Sequence, residues 1–354
     1  MRRNSKKIRC GSLYIGGDAE ISIQSMTNTD TRDVAATVSQ IMRLKEAGCQ
    51  IIRCAIVDFE AIEALKDIRR VVDMPIVADI HFDYRLAIEA IKNGADKIRI
   101  NPGNIGDSDK VKKIIKLAKE RSIPIRIGVN SGSLEKDILT QFGGVTAEGL
   151  VLSAMRNISM IEEMGFNDIV VSLKSSNVKL NYDAHQIIAD KMNYPIHIGI
   201  TEAGGLVSGK IKSSIGIGSL LLGGIGDTIR VSLTGDPVNE VIYAKEILRA
   251  CEIRKDGINI IACPTCGRSN MDLDEILQEV EDIVKDIKSE KRINIAIMGC
   301  EVNGPGEARE ADIGIACGKG KALLFKSGEI VKPLERDEIK KCLIEEIKSL
   351  LSDK

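Results

Sequence analysis

The chain has 354 residues, enough for one large domain and a smaller one. Its 50 basic and 51 acidic side chains nearly cancel, and only 3% of its residues are aromatic. A nucleic-acid-binding protein usually has a basic face and stacking aromatics, so the composition argues against that class. No apolar run reaches the length of a membrane span, and no apolar segment follows the basic N-terminus, so we expect a cytoplasmic protein.

Up to about residue 250, short apolar runs alternate with amphipathic segments of helical period. Several of these segments end on a glycine just before the next run, as at Gly48, Gly94 and Gly165, which is typical of helix C-termini. Eight such units predict an α/β fold, a (β/α)8 TIM barrel, with a doubly wound open sheet as the alternative. The predicted strands are 21–26, 51–56, 75–80, 97–101, 124–130, 168–174, 195–201 and 228–233.

The pattern changes after Ile253, where residues 254–257 form a short polar linker. The rest of the chain predicts a compact α+β domain of about one hundred residues. Its predicted strands are 258–262, 293–298, 313–316 and 322–326, and its predicted helices are 273–288 and 336–351. The predicted domains are therefore residues 1–253 and residues 254–354.

Polar side chains occur near the carboxyl ends of the predicted barrel strands, where barrel enzymes place their active sites. Residues two apart on a strand face the same way, so these positions share the inward row. Five strands carry a cation there, against the acidic Asp79 and Glu202: Arg53, Arg99, Arg126, Lys174 and Arg230. Arginine forms forked hydrogen bonds to phosphate oxygens, so the excess of cations predicts a phosphate-bearing ligand. The alternative is that these charges pair with one another or face the helices.

Glycine-containing loops follow three of the strands, at residues 101–106, 202–205 and 234–236. Glycine lets the backbone approach an anion and present N–H groups at a helix start. The loops after strands seven and eight commonly bind phosphate in barrel enzymes. The loops therefore agree with a phosphate ligand, although turns also need glycine for structural reasons.

Nine cysteines occur, an odd number that argues against a disulfide framework. Three form a constellation, because Cys263 and Cys266 make a C-x-x-C motif and Cys300 follows a later predicted strand. Four interpretations stay open: a structural zinc site with Cys317 as fourth ligand, a thioredoxin-type pair, buried core cysteines, or a four-iron four-sulfur cluster with Glu307 as the non-cysteine ligand. The cluster is favoured over zinc because the spacing between Cys300 and Cys317 is unlike that of a zinc ribbon.

Several longer motifs carry a resemblance to a known family. They are QSMTNTD at residues 24–30, VADIHFD at 77–83, RINPGNIG at 99–106, RIGVNSG at 126–132, TEAG at 201–204, CPTCGR at 263–268 and CEVNGPGE at 300–307. With these motifs the chain resembles, almost end to end, the short bacterial form of the hydroxymethylbutenyl diphosphate synthase family, also called IspG or GcpE.

The resemblance implies a TIM barrel followed by a smaller cluster domain like that of sulfite and nitrite reductases. It implies one 4Fe-4S cluster per chain, held by Cys263, Cys266, Cys300 and Glu307. The family converts 2-C-methyl-D-erythritol 2,4-cyclodiphosphate to 4-hydroxy-3-methylbut-2-enyl diphosphate in the non-mevalonate isoprenoid pathway, by a two-electron reduction that flavodoxin or ferredoxin supplies. Family members are homodimers in which the cluster domain of one chain caps the barrel of the other.

The matching positions also imply roles for the polar residues of the barrel mouth. The implied substrate ligands are Arg53, Asp79, His81, Arg99, Arg126, Asn130, Lys174, Thr201, Arg230 and Ser232. Glu307 is expected to leave its iron during catalysis, since a carboxylate is displaced more easily than a thiolate. Glu202 is the candidate proton donor. We expect His197 to pack inside the barrel and His185 to lie on the surface of a helix.

Three other functions share parts of this pattern. A barrel lyase or aldolase acting on a sugar phosphate would hold structural zinc in place of a cluster. A dehydratase of the aconitase kind would use a cluster only as a Lewis acid and would need no electron donor. A cluster-bearing sensor would need a nucleic-acid or partner surface, for which the sequence offers no basic stretch.

Overall fold

The protein is represented by a computed structural model, which describes residues 2–352 apart from 107, 267–272, 285, 286, 288, 301–305, 307–309, 319, 320 and 336. The chain forms two compact units, Met1–Cys251 and Glu252–Lys354. Of the helices that the structure describes, none combines the length and apolar character that crossing a membrane would require.

Eight parallel strands of the first unit close into a barrel. The strands of this unit are β1 (Ile8–Cys10), β2 (Leu13–Ile15), β3 (Ser22–Met26), β4 (Ile51–Ala55), β5 (Ile76–Asp79), β6 (Lys97–Ile100), β7 (Ile125–Asn130), β8 (Ile169–Lys174), β9 (His197–Ile198) and β10 (Thr228–Ile229). Neighbouring strands pair in the order β8-β7-β6-β5-β4-β3-β10-β9. A parallel bridge between Val171 and Ile196 joins the two ends of this order. The predicted TIM barrel is therefore confirmed over the open sheet.

Helices surround the barrel and follow the strands in chain order. They are α1 (Val34–Ala47), α2 (Phe59–Val71), α3 (Tyr84–Lys92), α4 (Pro102–Ile105), α5 (Ser108–Arg121), α6 (Lys136–Phe142), α7 (Ala147–Glu163), α8 (Val178–Ala189), α9 (Leu206–Leu222) and α10 (Pro237–Ala250). Local chemistry sets their ends. In α1 the Asp33 side chain accepts a hydrogen bond from the backbone N–H of Ala36, and Gly48 ends the helix at a φ of 106°.

Alternation along the strands separates an apolar outer face from a polar interior. On β6, Ile98 and Ile100 belong to the apolar core between the strands and the helices. Lys97 and Arg99 lie on the opposite face, because successive side chains of a strand point to opposite sides. The apolar side chains of such a strand therefore pack against the surrounding helices, and its polar side chains lie inside the barrel.

The N-terminal hairpin was not predicted from the sequence. Strands β1 and β2 pair antiparallel, with Ile8 opposite Ile15. Cys10 and Ile15 pack against Ile51 and Val77, which lie at the amino ends of β4 and β5. The hairpin therefore covers the end of the barrel opposite the mouth. Both strands have only three residues each, too few for a clear period in the sequence.

The second unit is a five-stranded sheet with two described helices. Its strands are β11 (Ile258–Ala262), β12 (Ile293–Met298), β13 (Ile313–Cys317), β14 (Lys321–Lys326) and β15 (Glu329–Glu335), and its helices are α11 (Leu273–Val284) and α12 (Ile339–Ser352). The first three strands pair parallel and the last two antiparallel. Strand β15 was missed because it is an edge strand, mostly exposed and rich in charge.

Candidate active site

A pocket with a cavity volume of about 120 Å³ opens at the carboxyl ends of the barrel strands. It is lined by Arg53, Asp79, His81, Arg99, Arg126, Asn130, Ser172, Lys174, Thr201, Arg230 and Ser232. The structure thus brings together all the residues that the sequence analysis named as substrate ligands, and it adds Ser172. Their role in binding substrate stays a prediction.

Asp79 lies between two of these cations and beside His81, and is itself 5% exposed. Its carboxylate is 3.3 Å from Nη1 of Arg99, 3.8 Å from Nε of Arg53 and 3.4 Å from Nε2 of His81. Burial alone would raise the pKa of Asp79, but Arg53, the hydrogen bond with His81, and Arg99 outweigh it and hold that pKa well below its usual range. Asp79 therefore stays ionised and fixes the two arginine side chains that flank it.

Arg126 and Lys174 lie deeper in positive surroundings. Arg126 is 1% exposed, and its Nε and Nη1 have no hydrogen-bond partner within the part of the chain that the structure describes. Burial lowers the pKa of Lys174 well below its usual value, and the charges of Arg53 and Arg126 lower it further. A buried cation without a counter-charge is costly. The pocket is therefore electrostatically prepared for an anion.

A helix outside the barrel supplies an acidic partner that the sequence analysis missed. Glu240 of α10 is 4% exposed and lies 3.4 Å from Nε of Arg230. It also accepts hydrogen bonds from the Ser25 hydroxyl at 3.1 Å and from the backbone N–H of Leu233 at 3.0 Å. These contacts hold Arg230 at the pocket. The sequence gives little signal for this, because Glu240 lies in the first turn of a helix, where acidic residues are common.

Two inward-facing glycines leave space that a side chain would fill, one for a cation and one for the backbone of the next strand. A Cβ at Gly128 would lie 2.7 Å from Nε of Arg99, and a Cβ at Gly199 would lie 2.5 Å from the carbonyl oxygen of Arg230. Both distances are too short for a real side chain. Gly128 therefore leaves space for the Arg99 guanidinium, and Gly199 lets β10 approach β9 closely.

A wider pocket adjoins the first and has a cavity volume of about 580 Å³. It shares Asn130 and Thr201 with the first pocket and also contains Glu202 and several serines. Glu202 is exposed and has a φ of 50°, a left-handed conformation that few residues other than glycine adopt. Such backbone strain often marks a functional loop. The role of Glu202 as proton donor stays a prediction.

The other two histidines are both buried. His197 is 0% exposed inside the barrel, as expected. The expected surface position of His185 is wrong, because it is also 0% exposed. Its Nδ1 makes a 2.7 Å hydrogen bond with the backbone carbonyl of Asn181, one turn earlier in α8. His185 therefore packs between its helix and the barrel, with no part in the pocket.

The three predicted cluster cysteines follow two neighbouring parallel strands. Cys263 comes directly after β11 and Cys300 comes shortly after β12, and these strands pair with Ala262 opposite Ile297. Cys266 is exposed, whereas Cys263 and Cys300 are partly exposed. Among the described residues, no group of three or more His, Cys, Asp or Glu side chains is gathered closely enough to hold a metal ion.

The donor set still fits a soft metal centre, because three thiols leave the same edge of one sheet. The C-x-x-C motif has Thr265 at a φ of 52°, so the chain turns sharply between its two cysteines. The proposed fourth ligand, Glu307, lies outside the described residues. The assignment of these four ligands therefore stays a prediction.

Comparisons with known proteins decide the family. Residues 5–245 match the model of the GcpE TIM-barrel domain, and residues 259–349 match that of the GcpE protein C-terminal domain. This chain belongs to the GcpE family. The resemblance that the motifs carried is confirmed, and both units of this GcpE chain have a counterpart in the family.

Full-length relatives share one name, 4-hydroxy-3-methylbut-2-en-1-yl diphosphate synthase (flavodoxin). The relative from Clostridium acetobutylicum is 55% identical over 349 residues, which are 99% of this chain and 99% of that protein. The relative from Geobacter sulfurreducens is 50% identical over 354 residues, which are 100% of both proteins. The family resemblance thus extends across the whole GcpE chain.

Solved structures agree on the fold of the barrel. A dihydropteroate synthase from Stenotrophomonas maltophilia matches with a TM-score of 0.52 and 14% identity, over 70% of this chain and 97% of that chain. One from Xanthomonas albilineans matches with a TM-score of 0.51 and 16% identity, over 70% of this chain and 98% of that chain. At such low identity these likenesses show the barrel architecture alone.

Asp79 gives a first prediction about the barrel of this GcpE protein. Replacing Asp79 by asparagine leaves Arg53 and Arg99 buried without their counter-charge, so the free energy of unfolding at pH 7 should fall by about 3 kcal/mol. The pKa of Asp79 is lowered on folding, so its contribution is present above its unfolded pKa of about 4 and is lost as pH falls below that value. Urea unfolding of both proteins at pH 7 and at about pH 2.5, well below the unfolded pKa, checks this, and a difference that grows toward acid would contradict it.

Proposed function

We propose that this protein opens and dehydroxylates 2-C-methyl-D-erythritol 2,4-cyclodiphosphate, giving 4-hydroxy-3-methylbut-2-enyl diphosphate. The reaction takes up two electrons and two protons and releases one water, while the ring C–O bond is broken. One observation carries the proposal: five buried or half-buried cations line the pocket at the mouth of the barrel, where the acidic residue of the lining is Asp79. The relatives that span the full chain bear the name of this product's synthase.

The pocket suits a diphosphate in charge and in hydrogen-bonding chemistry. Each phosphate of the cyclic diphosphate carries one negative charge at neutral pH. Arg126 offers unpartnered guanidinium N–H groups, and guanidinium binds phosphate oxygens in forked geometry. The Thr201 and Ser232 hydroxyls and the Asn130 amide line the same pocket and can donate to the remaining oxygens. We propose that these residues fix the diphosphate and so hold the reacting carbon in place.

The proposed cofactor is one 4Fe-4S cluster per chain, with Cys263, Cys266, Cys300 and Glu307 as its ligands. When bound, such a cluster supplies single electrons and an iron that can act as a Lewis acid. The support from this chain is the donor set, three thiols that follow the carboxyl ends of two paired parallel strands. Flavodoxin is the proposed electron donor, in agreement with the name of the relatives, and ferredoxin is the alternative.

Glu202 is the proposed proton donor to the departing hydroxyl. Its loop lies between the two adjoining pockets, since the wider pocket contains Glu202 and shares Thr201 with the cation-lined one. A carboxyl at that boundary can reach both substrate and solvent, and it can be reprotonated from water after each turnover. The cytoplasmic location and the homodimer, in which the cluster domain of one chain would cap the barrel of its partner, stay predictions.

Anaerobic purification tests this function directly. We expect coloured protein with about four iron and four sulfide per chain, and turnover of the cyclic diphosphate when reduced flavodoxin is supplied. Zinc in place of iron would favour a barrel lyase, and turnover without any reductant would favour a dehydratase. Colourless, iron-free protein from a fully anaerobic preparation would contradict the proposal.

A further inference from the structure

Beneath the pocket, inside the barrel, lies a buried polar layer formed by Ser22, Gln24, Lys97, His197 and Thr228, of which none is more than 3% exposed. Alternation places these side chains inside the barrel. Lys97 precedes the pocket residue Arg99 by two positions on β6, and His197, Thr228 and Ser22 lie side by side on β9, β10 and β3.

The polar layer is poorly partnered for so deep a position. Nζ of Lys97, both ring nitrogens of His197 and the side-chain polar atoms of Ser22, Gln24 and Thr228 find no hydrogen-bond partner among the described residues. Below the layer, the apolar contact of the hairpin with Ile51 and Val77 seals the barrel. An unpartnered buried polar group lowers the stability of the fold by about 1–3 kcal/mol. The layer therefore does not serve stability, which favours a functional role.

The charges that face Lys97 are mostly positive. Burial lowers the pKa of Lys97 to about 8, the Cys10 thiol of the hairpin opposes that shift, and the charges of Arg126 and Arg53 add to it. Asp96 is the acidic neighbour, but its carboxylate already accepts hydrogen bonds from Arg69 at 3.1 Å and from a backbone N–H at 2.8 Å. His197 is neutral, because burial and then Arg126 lower its pKa well below the usual value.

We propose that Lys97, in the polar layer beneath the pocket, is a positioning residue that forms a second tier of the anion site. Lys97 takes up a proton when the dianionic substrate binds in the pocket above. This inference rests on the proposed function. A negative charge brought near a buried amine favours its ammonium form, and proton uptake then strengthens binding by the same free energy. Arg53 and Arg126 are the link, because both line the pocket and their charges also lower the pKa of Lys97, and the substrate neutralises the charges that repel a proton from Lys97.

Calorimetry of substrate binding to anaerobic holoprotein tests the proposal. The observed enthalpy is measured in buffers of different ionisation enthalpy, and the slope gives the protons taken up. The cyclic diphosphate is fully ionised above neutral pH, so any uptake belongs to the protein. The wild type should take up about half a proton more per site at pH 9 than a Lys97→Met variant, and little more at pH 7. Lys174 can also take up a proton, but it is present in both proteins. The difference in proton uptake between the wild type and Lys97→Met therefore reports on Lys97.

Affinity gives the second readout. The Kd of Lys97→Met should be about tenfold weaker than that of the wild type at pH 7, and the two should converge by about pH 10, where Lys97 is neutral in the free protein. A Thr228→Val variant is the matched control, since it removes an uncharged polar group from the same layer. It should keep the proton uptake of the wild type. Lys97→Gln replaces Lys97→Met if the latter does not fold.

Equal proton uptake in the wild type and the Lys97 variant at pH 9, or a ratio of Kd values that stays constant with pH, would overturn the role of Lys97 while leaving the proposed function intact. Absence of any binding heat from wild-type holoprotein across the pH range would instead refute the proposed substrate, and the second tier with it. The two failures are therefore told apart by whether the wild type binds.

Discussion

Replacing Arg126 by alanine should weaken binding of the cyclic diphosphate by at least about a hundredfold while leaving the barrel as stable as before. Two charge-assisted hydrogen bonds of about 1.5–3 kcal/mol each would be lost, which corresponds to that factor. Arg126 has no carboxylate partner in the described structure that its removal would strand, because Asp79 pairs with Arg53 and Arg99. Loss of an unpaired buried cation relieves repulsion among the remaining ones, so the free energy of unfolding should not fall much.

The measurement compares the Kd for the cyclic diphosphate with urea unfolding of the same protein. Arg70→Ala is the matched control, because Arg70 is an exposed arginine paired with Asp67 at 2.7 Å on the outer surface of α2. It should change neither quantity appreciably. If Arg126→Ala lost stability and affinity to the same degree, Arg126 would be a structural residue of the barrel core and the assignment to substrate binding would be wrong.

The barrel and its mouth could be predicted from the sequence because two periodicities determine them. Alternation of period two placed Arg99 and Arg126 on the inward face, and parallel strands bring their carboxyl ends to one side of the sheet. Residues far apart in the chain, such as Arg53 and Arg230, therefore had to meet. No knowledge of individual contacts was needed for that step.

The partners of the inward-facing side chains could not be predicted, because periodicity gives a direction and not a contact. Lys97 and Arg99 share one face of β6, but only the folded barrel shows that Arg99 meets Asp79 and that Nζ of Lys97 has no hydrogen-bond partner among the described residues. Glu240 reaches Arg230 from a helix, across the strands, which no local pattern reports. For His185 a signal existed and was missed: Asn181, His185 and Ile188 recur at helical spacing and form the buried face of α8.

Replacing Cys300 by serine should remove most of the iron and sulfide of anaerobically purified protein and lower turnover by at least about a thousandfold, since serine does not replace a thiolate as a ligand of a soft metal centre. The local structure should survive, because Cys300 lies after the end of β12 and is partly exposed. The hydrophobic core of this unit is built from other residues. Cys342→Ser is the matched control: Cys342 is also partly exposed, lies on α12 in the same unit and is outside the proposed ligand set, so iron content and turnover should stay unchanged.

Glu307→Cys separates the presence of the cluster from its activity. A fourth thiolate should keep iron and sulfide near wild-type amounts yet remove most turnover, because a thiolate leaves iron less readily than a carboxylate does. The pair of variants therefore distinguishes two meanings of an inactive protein: Cys300→Ser lacks the cluster, whereas Glu307→Cys holds it without an exchangeable position. Full turnover in Glu307→Cys would refute the labile-ligand role, and full iron content in Cys300→Ser would refute the ligand set itself. Cys263 and Cys300 follow the carboxyl ends of two paired parallel strands. Full iron content in Cys300→Ser would therefore mean that the metal is bound somewhere other than at these strand ends.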